Sequence, residues 1–199
     1  VERVYLTRHG ESEFSARGLT NGDPSTIGGL TETGRAEAGR LGTVLADTPL
    51  DLCAVSEFQR AQETADVALD GRGVARLVLA ELNDIRVGEF EGLTVEEYRG
   101  WARSHEPGEP PPGGGESRVQ VVSRYVAAYR TLLSRPERSI LVVAHALTVR
   151  YVLDAVDGLV PAPRVEVVPY AEPFALGAAE LSGALELLHD WTLAPVWRR

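Results

Sequence analysis

The chain has 199 residues, a net charge of −9 and one cysteine, with 44% apolar and 25% charged residues. That length gives room for one domain with a full core, the composition is that of a globular protein, and a single cysteine permits no internal disulfide. All 20 basic residues are arginines with no dense basic stretch, which argues against nucleic acid as a partner, and no apolar run of about eighteen residues suggests a membrane span.

In chain order, "RVYLT" (3–7) reads as a short strand, and "LTETGRAEAGRLGTVLAD" (30–47) as a helix with Thr31 as N-cap. "LDLCAVS" (50–56) is a near-continuous apolar run, the pattern of a strand buried on both faces, so Cys53 is expected as a buried structural thiol. "EFQRAQETADVAL" (57–69) reads as a helix, "ARLVLAEL" (75–82) as a strand and "TVEEYRGWARSH" (94–105) as a helix. The Pro/Gly run "EPGEPPPGGGE" (106–116) is a loop by composition, after which Ser117 can cap a helix over 118–135. "SILVVA" (139–144) is the clearest buried strand, followed by a helix over 146–156. The tail, 169–191, is expected to hold a strand or loop and then a helix with Leu181, Leu185 and Leu188 on one face.

Alternating strands and helices predict an α/β three-layer sandwich, a mostly parallel central sheet flanked by helices. In such sheets ligands sit beyond the carboxyl ends of the strands. Arg8-His9, Ser56 to Arg60, and His145 each follow a predicted strand. Taken singly, each has an ordinary reading: a salt-bridged turn, a surface helix arginine paired with Glu57 or Glu63, a buried hydrogen-bonded histidine. Together they deliver polar groups to one edge of one sheet.

In order along the chain, "LTRHGESEFS", "LTETGRAEA", "SEFQRAQETA" and "LVVAHALTVRY" resemble segments of the histidine phosphatase superfamily, the phosphoglycerate mutase-like group, with "ELNDIRVGEFEG" and "PPGGGES" between them also similar. The resemblance spans residues 3 to about 155. It implies one domain over 1–199, with 88–117 as a lid-like insertion, and a phosphatase acting on a small phosphorylated metabolite without metal or other cofactor. Matching the family's motifs makes His9 the nucleophile and Arg8, Arg60, His145 and the backbone N–H of Ala146 the phosphate ligands. Imidazole is unprotonated in useful amount at neutral pH, guanidinium presents paired donors to phosphate oxygens, and Gly10 permits close backbone approach. The family's acid is a Glu in a Leu-x-Glu-Ile context. Here Leu82-Asn83-Asp84-Ile85 puts the shorter Asp84 at that position, with Glu81 and Glu89 as alternatives.

Ser15 stands where many relatives carry Asn, and Asn21-Gly22 falls where relatives place a substrate-touching loop, followed by Asp23 instead of an aromatic. Glu116 is a candidate for the pocket rim, Ser117 equally so or an N-cap. His105, His189 and the tryptophans read as packing or surface residues. No His/Cys/Asp cluster has metal-ligand spacing. Mutases of the family tend to carry a longer insertion after the acid-bearing segment, whereas the compact 88–117 segment has only Arg99 and Arg103 as cations, so the resemblance implies water rather than a substrate hydroxyl as the acceptor. The alternatives are a phosphomutase and a catalytically weak phosphoester-binding module. The first residues, "VERVYLTRHG", lack the apolar core of a signal peptide, so the cytoplasm is the expected compartment. Oligomeric state stays open, a homodimer being one option.

Overall fold

In a computed structural model of the protein, residues 1–198 are described. Strands β1 (Arg3–Arg8), β2 (Leu52–Val55), β3 (Ala75–Val78), β4 (Ser139–Ala144) and β5 (Phe174–Gly177) form one sheet in the order β3-β2-β4-β1-β5. The pairs β1–β4, β2–β4 and β2–β3 are parallel, and β5 runs antiparallel to β1 at the edge. Seven helices accompany them among the described residues: α1 (Glu13–Ala16), α2 (Glu32–Val44), α3 (Gln59–Ala68), α4 (Val95–Arg103), α5 (Arg118–Leu133), α6 (Ala146–Val156) and α7 (Ala178–Leu193).

The apolar runs of the inner strands are explained by the period of two along a strand. Val4, Leu6, Leu52, Ala54, Ile140 and Val142 point to the face covered by α5, α6 and α7. Cys53, Val55, Leu141 and Val143 point to the opposite face, covered by α2 and α3. The expected three-layer sandwich is therefore present, with a core on each side of the sheet. Burial pushes the Cys53 thiol up to about 12, which leaves it protonated and inert.

Register does the work of assembly. Arg8 lies beside Ala144, and Val55 beside Val143. The residues immediately after these three strands thus emerge side by side at one sheet edge. The backbone N–H of His9 closes onto the carbonyl of Ala144 at 3.0 Å, and that of Ala171 onto Arg8 at 2.9 Å, so the C-terminal segment borders the same edge.

Several predicted boundaries shift. Only Ala75–Val78 of the strand expected over 75–82 forms a strand; Leu79 stays extended and Ala80–Leu82 winds into a 3-10 turn. The chain must leave the sheet edge there to bring Asp84 back toward the other strand ends. The helix expected from residue 57 starts at Gln59, because Phe58 stays extended as its N-cap and the Glu57 N–H is held by Asn83 Oδ1 at 2.9 Å. The helix expected over 94–105 ends at Arg103. The short helix α1 was not anticipated; Ser12 and Ser15 form its capping box. Thr31 and Ser117 do cap α2 and α5, accepting from Gly34 N and Gln120 N. No helix is long and apolar enough to cross a membrane, among the described residues.

Candidate active site

Beyond the carboxyl ends of the strands lies a cavity of about 460 Å³, lined in part by Arg8, His9, Arg60, Asp84 and Ala146. His9 is 4% exposed. Its Nδ1 sits 2.7 Å from the carbonyl of Gly10, which makes Nδ1 the protonated nitrogen and leaves Nε2 with its lone pair. Nε2 accepts from Arg60 Nε at 3.2 Å. The turn that fixes this ring is built on tight backbone contact: a Cβ at residue 10 would stand 2.5 Å from the carbonyl oxygen of Gly34. Thr64 braces it further, accepting from Gly10 N at 3.0 Å and donating to the Arg60 carbonyl at 2.7 Å.

Arg60 is the hub. Its Nη1 donates to Asn21 Oδ1, and its Nη2 to the Asn21 carbonyl at 3.1 Å and to His145 Nδ1 at 3.3 Å. Nη2 also stands 3.5 Å from Asp84 Oδ2, and the guanidinium lies over the Phe58 ring at 4.0 Å. His145 is fully buried, with Ser56 Oγ 2.9 Å from its Nε2 and Asp84 Oδ2 3.6 Å from its Nδ1. Arg8 donates from Nη1 to the Val168 carbonyl at 2.9 Å and stacks on Tyr170, 3.7 Å from the ring centroid; its Nε has no partner. The first N–H of α6 belongs to Ala146, and this helix start has no side-chain cap, so its free donors and dipole favour an anion there.

Electrostatics follow from burial among cations. Desolvation, then Arg60 and Arg8, hold the His9 imidazole well below its ordinary range, against the Gly10 hydrogen bond. Desolvation and the same arginines lower His145 likewise. Both rings are neutral at pH 7. Burial draws Arg60 down to about 10, with Asp84 resisting, and also lowers Arg8; both keep their charge.

The remaining expected residues divide. Ser15 and Gly22 line the cavity, as does Asn21, but Ser15 Oγ is engaged with Ser12 and Asn21 grips Arg60. Glu91 Oε2 accepts from Gly22 N at 2.8 Å and Oε1 from Asn21 Nδ2 at 3.2 Å, fixing that loop. Glu81 and Glu89 are exposed and outside the lining, whereas Asp84 is in it. Glu116 does not line the cavity. Its carboxylate is drawn to Arg124, at 2.8 and 3.0 Å, and to the N–H of Arg86 at 3.1 Å, so it ties down the chain next to Asp84. Phe58, Thr64, Glu91 and Arg118 were not singled out from the sequence. None sits in a local pattern that marks it, and only their partners in space reveal them.

Residues 4–170 match the profile of the Histidine phosphatase superfamily (branch 1). The chain is 34% identical over 153 residues to an adenosylcobalamin/alpha-ribazole phosphatase of Salmonella typhimurium, covering 72% of this chain and 73% of that protein. It is 34% identical over 177 residues to a 2,3-bisphosphoglycerate-dependent phosphoglycerate mutase of Brucella ovis, covering 79% and 82%. Among solved structures, Bacillus stearothermophilus YhfR superposes with a TM-score of 0.76 at 29% identity, covering 88% of this chain and 90% of that one.

Proposed function

The chain belongs to the histidine phosphatase superfamily, branch 1, and is a phosphatase of that family; we propose that it hydrolyses a small phosphomonoester through a phosphohistidine on His9, without metal, in the cytoplasm. The observation that carries this reading is the state of His9 in the cavity lining: Nδ1 tied to the Gly10 carbonyl, Nε2 left with the lone pair and held by Arg60, the ring kept neutral. A neutral imidazole with a fixed tautomer is a ready nucleophile.

In the first step Arg60 Nε lets go of His9 Nε2 and turns to the phosphate, and the freed Nε2 forms a bond to phosphorus while the ester P–O bond breaks. Arg8, Arg60 and the Ala146 N–H meet the charge on the equatorial oxygens. Asp84 gives its proton to the leaving alkoxide, then takes one from the water that attacks the phosphohistidine. Asp84 is favoured over Glu81 and Glu89 because it alone of the three lines the cavity. For His145 to donate to phosphate, Arg60 Nη2 turns to the phosphate and the Ser56 hydroxyl donates into His145 Nε2, which leaves the proton on Nδ1. The segment 88–117 acts as a lid: Val95, Tyr98 and Arg99 of α4 line the cavity.

The test is hydrolysis of p-nitrophenyl phosphate in excess chelator by wild type and His9→Ala, with an acid-quenched search for an acid-labile, base-stable phosphoprotein. Chelator-resistant turnover and a phosphoprotein band, both lost in His9→Ala, are expected. Turnover that survives His9→Ala sinks the reading. The likeness to the Brucella mutase supports a second reading, phosphoryl transfer back to a hydroxyl of the substrate. Isomerisation of 3-phosphoglycerate without phosphate release would establish it instead.

A further inference from the structure

Arg118 is the first residue of α5 and is 7% exposed. Its Nη1 donates to the Tyr151 hydroxyl at 3.1 Å and its guanidinium stands 5.6 Å from the Tyr98 ring centroid. Its Nε has no partner, and among the described residues no carboxylate pairs with it. One phenol hydroxyl and one aromatic face are poor compensation for a desolvated cation. The position makes matters worse, because a cation at a helix N-terminus opposes the helix dipole. Arg124 on the same helix shows what a structural arginine does here: it is gripped by Glu116 and by backbone carbonyls of Glu81 and Asn83.

Arg118 does border the cavity. That lining contains four arginines, Arg8, Arg60, Arg99 and Arg118, and one carboxylate, Asp84, in a chain of net charge −9. Arg8 and Arg60 are matched by one phosphoryl dianion. Arg118, with Arg99 nearer solvent on α4, is then surplus positive charge for a simple phosphomonoester. We infer that the substrate carries a second anionic group, a carboxylate or a further phosphate, and that Arg118 is the residue that receives it. A planar fork of donors in a dry site suits either oxyanion. The apolar residues Val95, Leu147 and Val165 share the lining and suit a short carbon skeleton. This rests on the reading of the same cavity as a phosphatase site.

The test uses a ladder of linear diol monophosphates of increasing length. Each is paired with the compound of the same length whose free hydroxyl end is replaced by a carboxylate, and with the one in which it is a second phosphate. Turnover and calorimetric binding are measured on wild type, Arg118→Met and Arg118→Gln. At one chain length wild type should prefer an anionic member over its neutral partner by about tenfold to a hundredfold, the worth of a charge-assisted hydrogen bond. Both variants should bring that ratio to about one. Which series responds distinguishes carboxylate from phosphate. A flat ladder in wild type overturns the inference, whether or not the variants fold, as does a preference that persists in both variants. Failure of the phosphatase reading looks different: p-nitrophenyl phosphate is then not turned over, or is turned over by His9→Ala, while the binding preference is still measured by calorimetry.

Discussion

Replacing Asp84 with Asn keeps the side chain's shape and removes its proton and charge. Two effects of opposite sign follow. As the acid, Asp84 is worth about 10²–10⁴ in rate when the leaving group is a strongly basic alkoxide, and little when it is p-nitrophenolate, which departs unprotonated. As an anion, its Oδ2 lies 3.5 Å from Arg60 Nη2 with 28% of the side chain exposed, so it competes with phosphate for that guanidinium. Unit charges at that distance interact by about 5 kcal/mol at an effective dielectric near 20; solvent around the carboxylate cuts this to about 1–2 kcal/mol. Inorganic phosphate should therefore inhibit Asp84→Asn at roughly tenfold lower concentration. The assay compares kcat/KM for an alkyl phosphate and for p-nitrophenyl phosphate, since kcat/KM reports only the steps up to alcohol release. The alkyl ester should lose about 10²–10⁴ and the aryl ester less than about tenfold. Slow hydrolysis of the phosphohistidine should then appear as a burst of nitrophenol. Equal losses on both esters with no burst would refute Asp84 as the proton donor.

Three further outcomes are expected. Thr64→Val leaves the buried Gly10 N–H without its acceptor, which should cost about 1–3 kcal/mol and lower Tm by roughly 5 °C; an unchanged melt by calorimetry contradicts this. His9 and His145 have folded-state pKa values held below their unfolded values near 6.5. The unfolded chain therefore binds more protons as pH falls through 6.5. Their contribution to stability is complete above that pH and lost below it, at up to about 2.7 kcal/mol per pH unit. Urea unfolding between about pH 7.5 and 5.5 reads the slope, and the acid limb of kcat/KM, corrected for substrate ionisation, should lie below 6.5; a limb at or above 6.5 is the contrary result. Glu116→Gln should destabilise by about 2–3 kcal/mol, a partly buried ion pair losing one partner, with KM for p-nitrophenyl phosphate changed less than about threefold; a large KM change with unaltered stability would return Glu116 to the substrate rim.

The sequence by itself determined the layers and the strand-end groups. Cys53, Val55, Leu141 and Val143, with the apolar residues between them, declare strands buried on both faces because side chains alternate along a strand and these runs are apolar throughout. His9 and His145 are legible because each comes just after a predicted strand, and parallel sheets offer their carboxyl edge to ligands. Thr31 and Ser117 are legible because capping is a contact within three residues. What only the tertiary structure decided spans long loops. Arg60 meets Asn21 across 39 residues and His145 across 85; Arg8 reaches the Val168 carbonyl across 160. Glu116 reads as a rim residue until Arg124 turns it away, and Arg118 reads as an ordinary helix start until its burial without a carboxylate is seen. Local pattern fixes the direction a side chain leaves its strand or helix. Which partner it finds there depends on sheet register and helix packing, and these are properties of the whole chain folded at once.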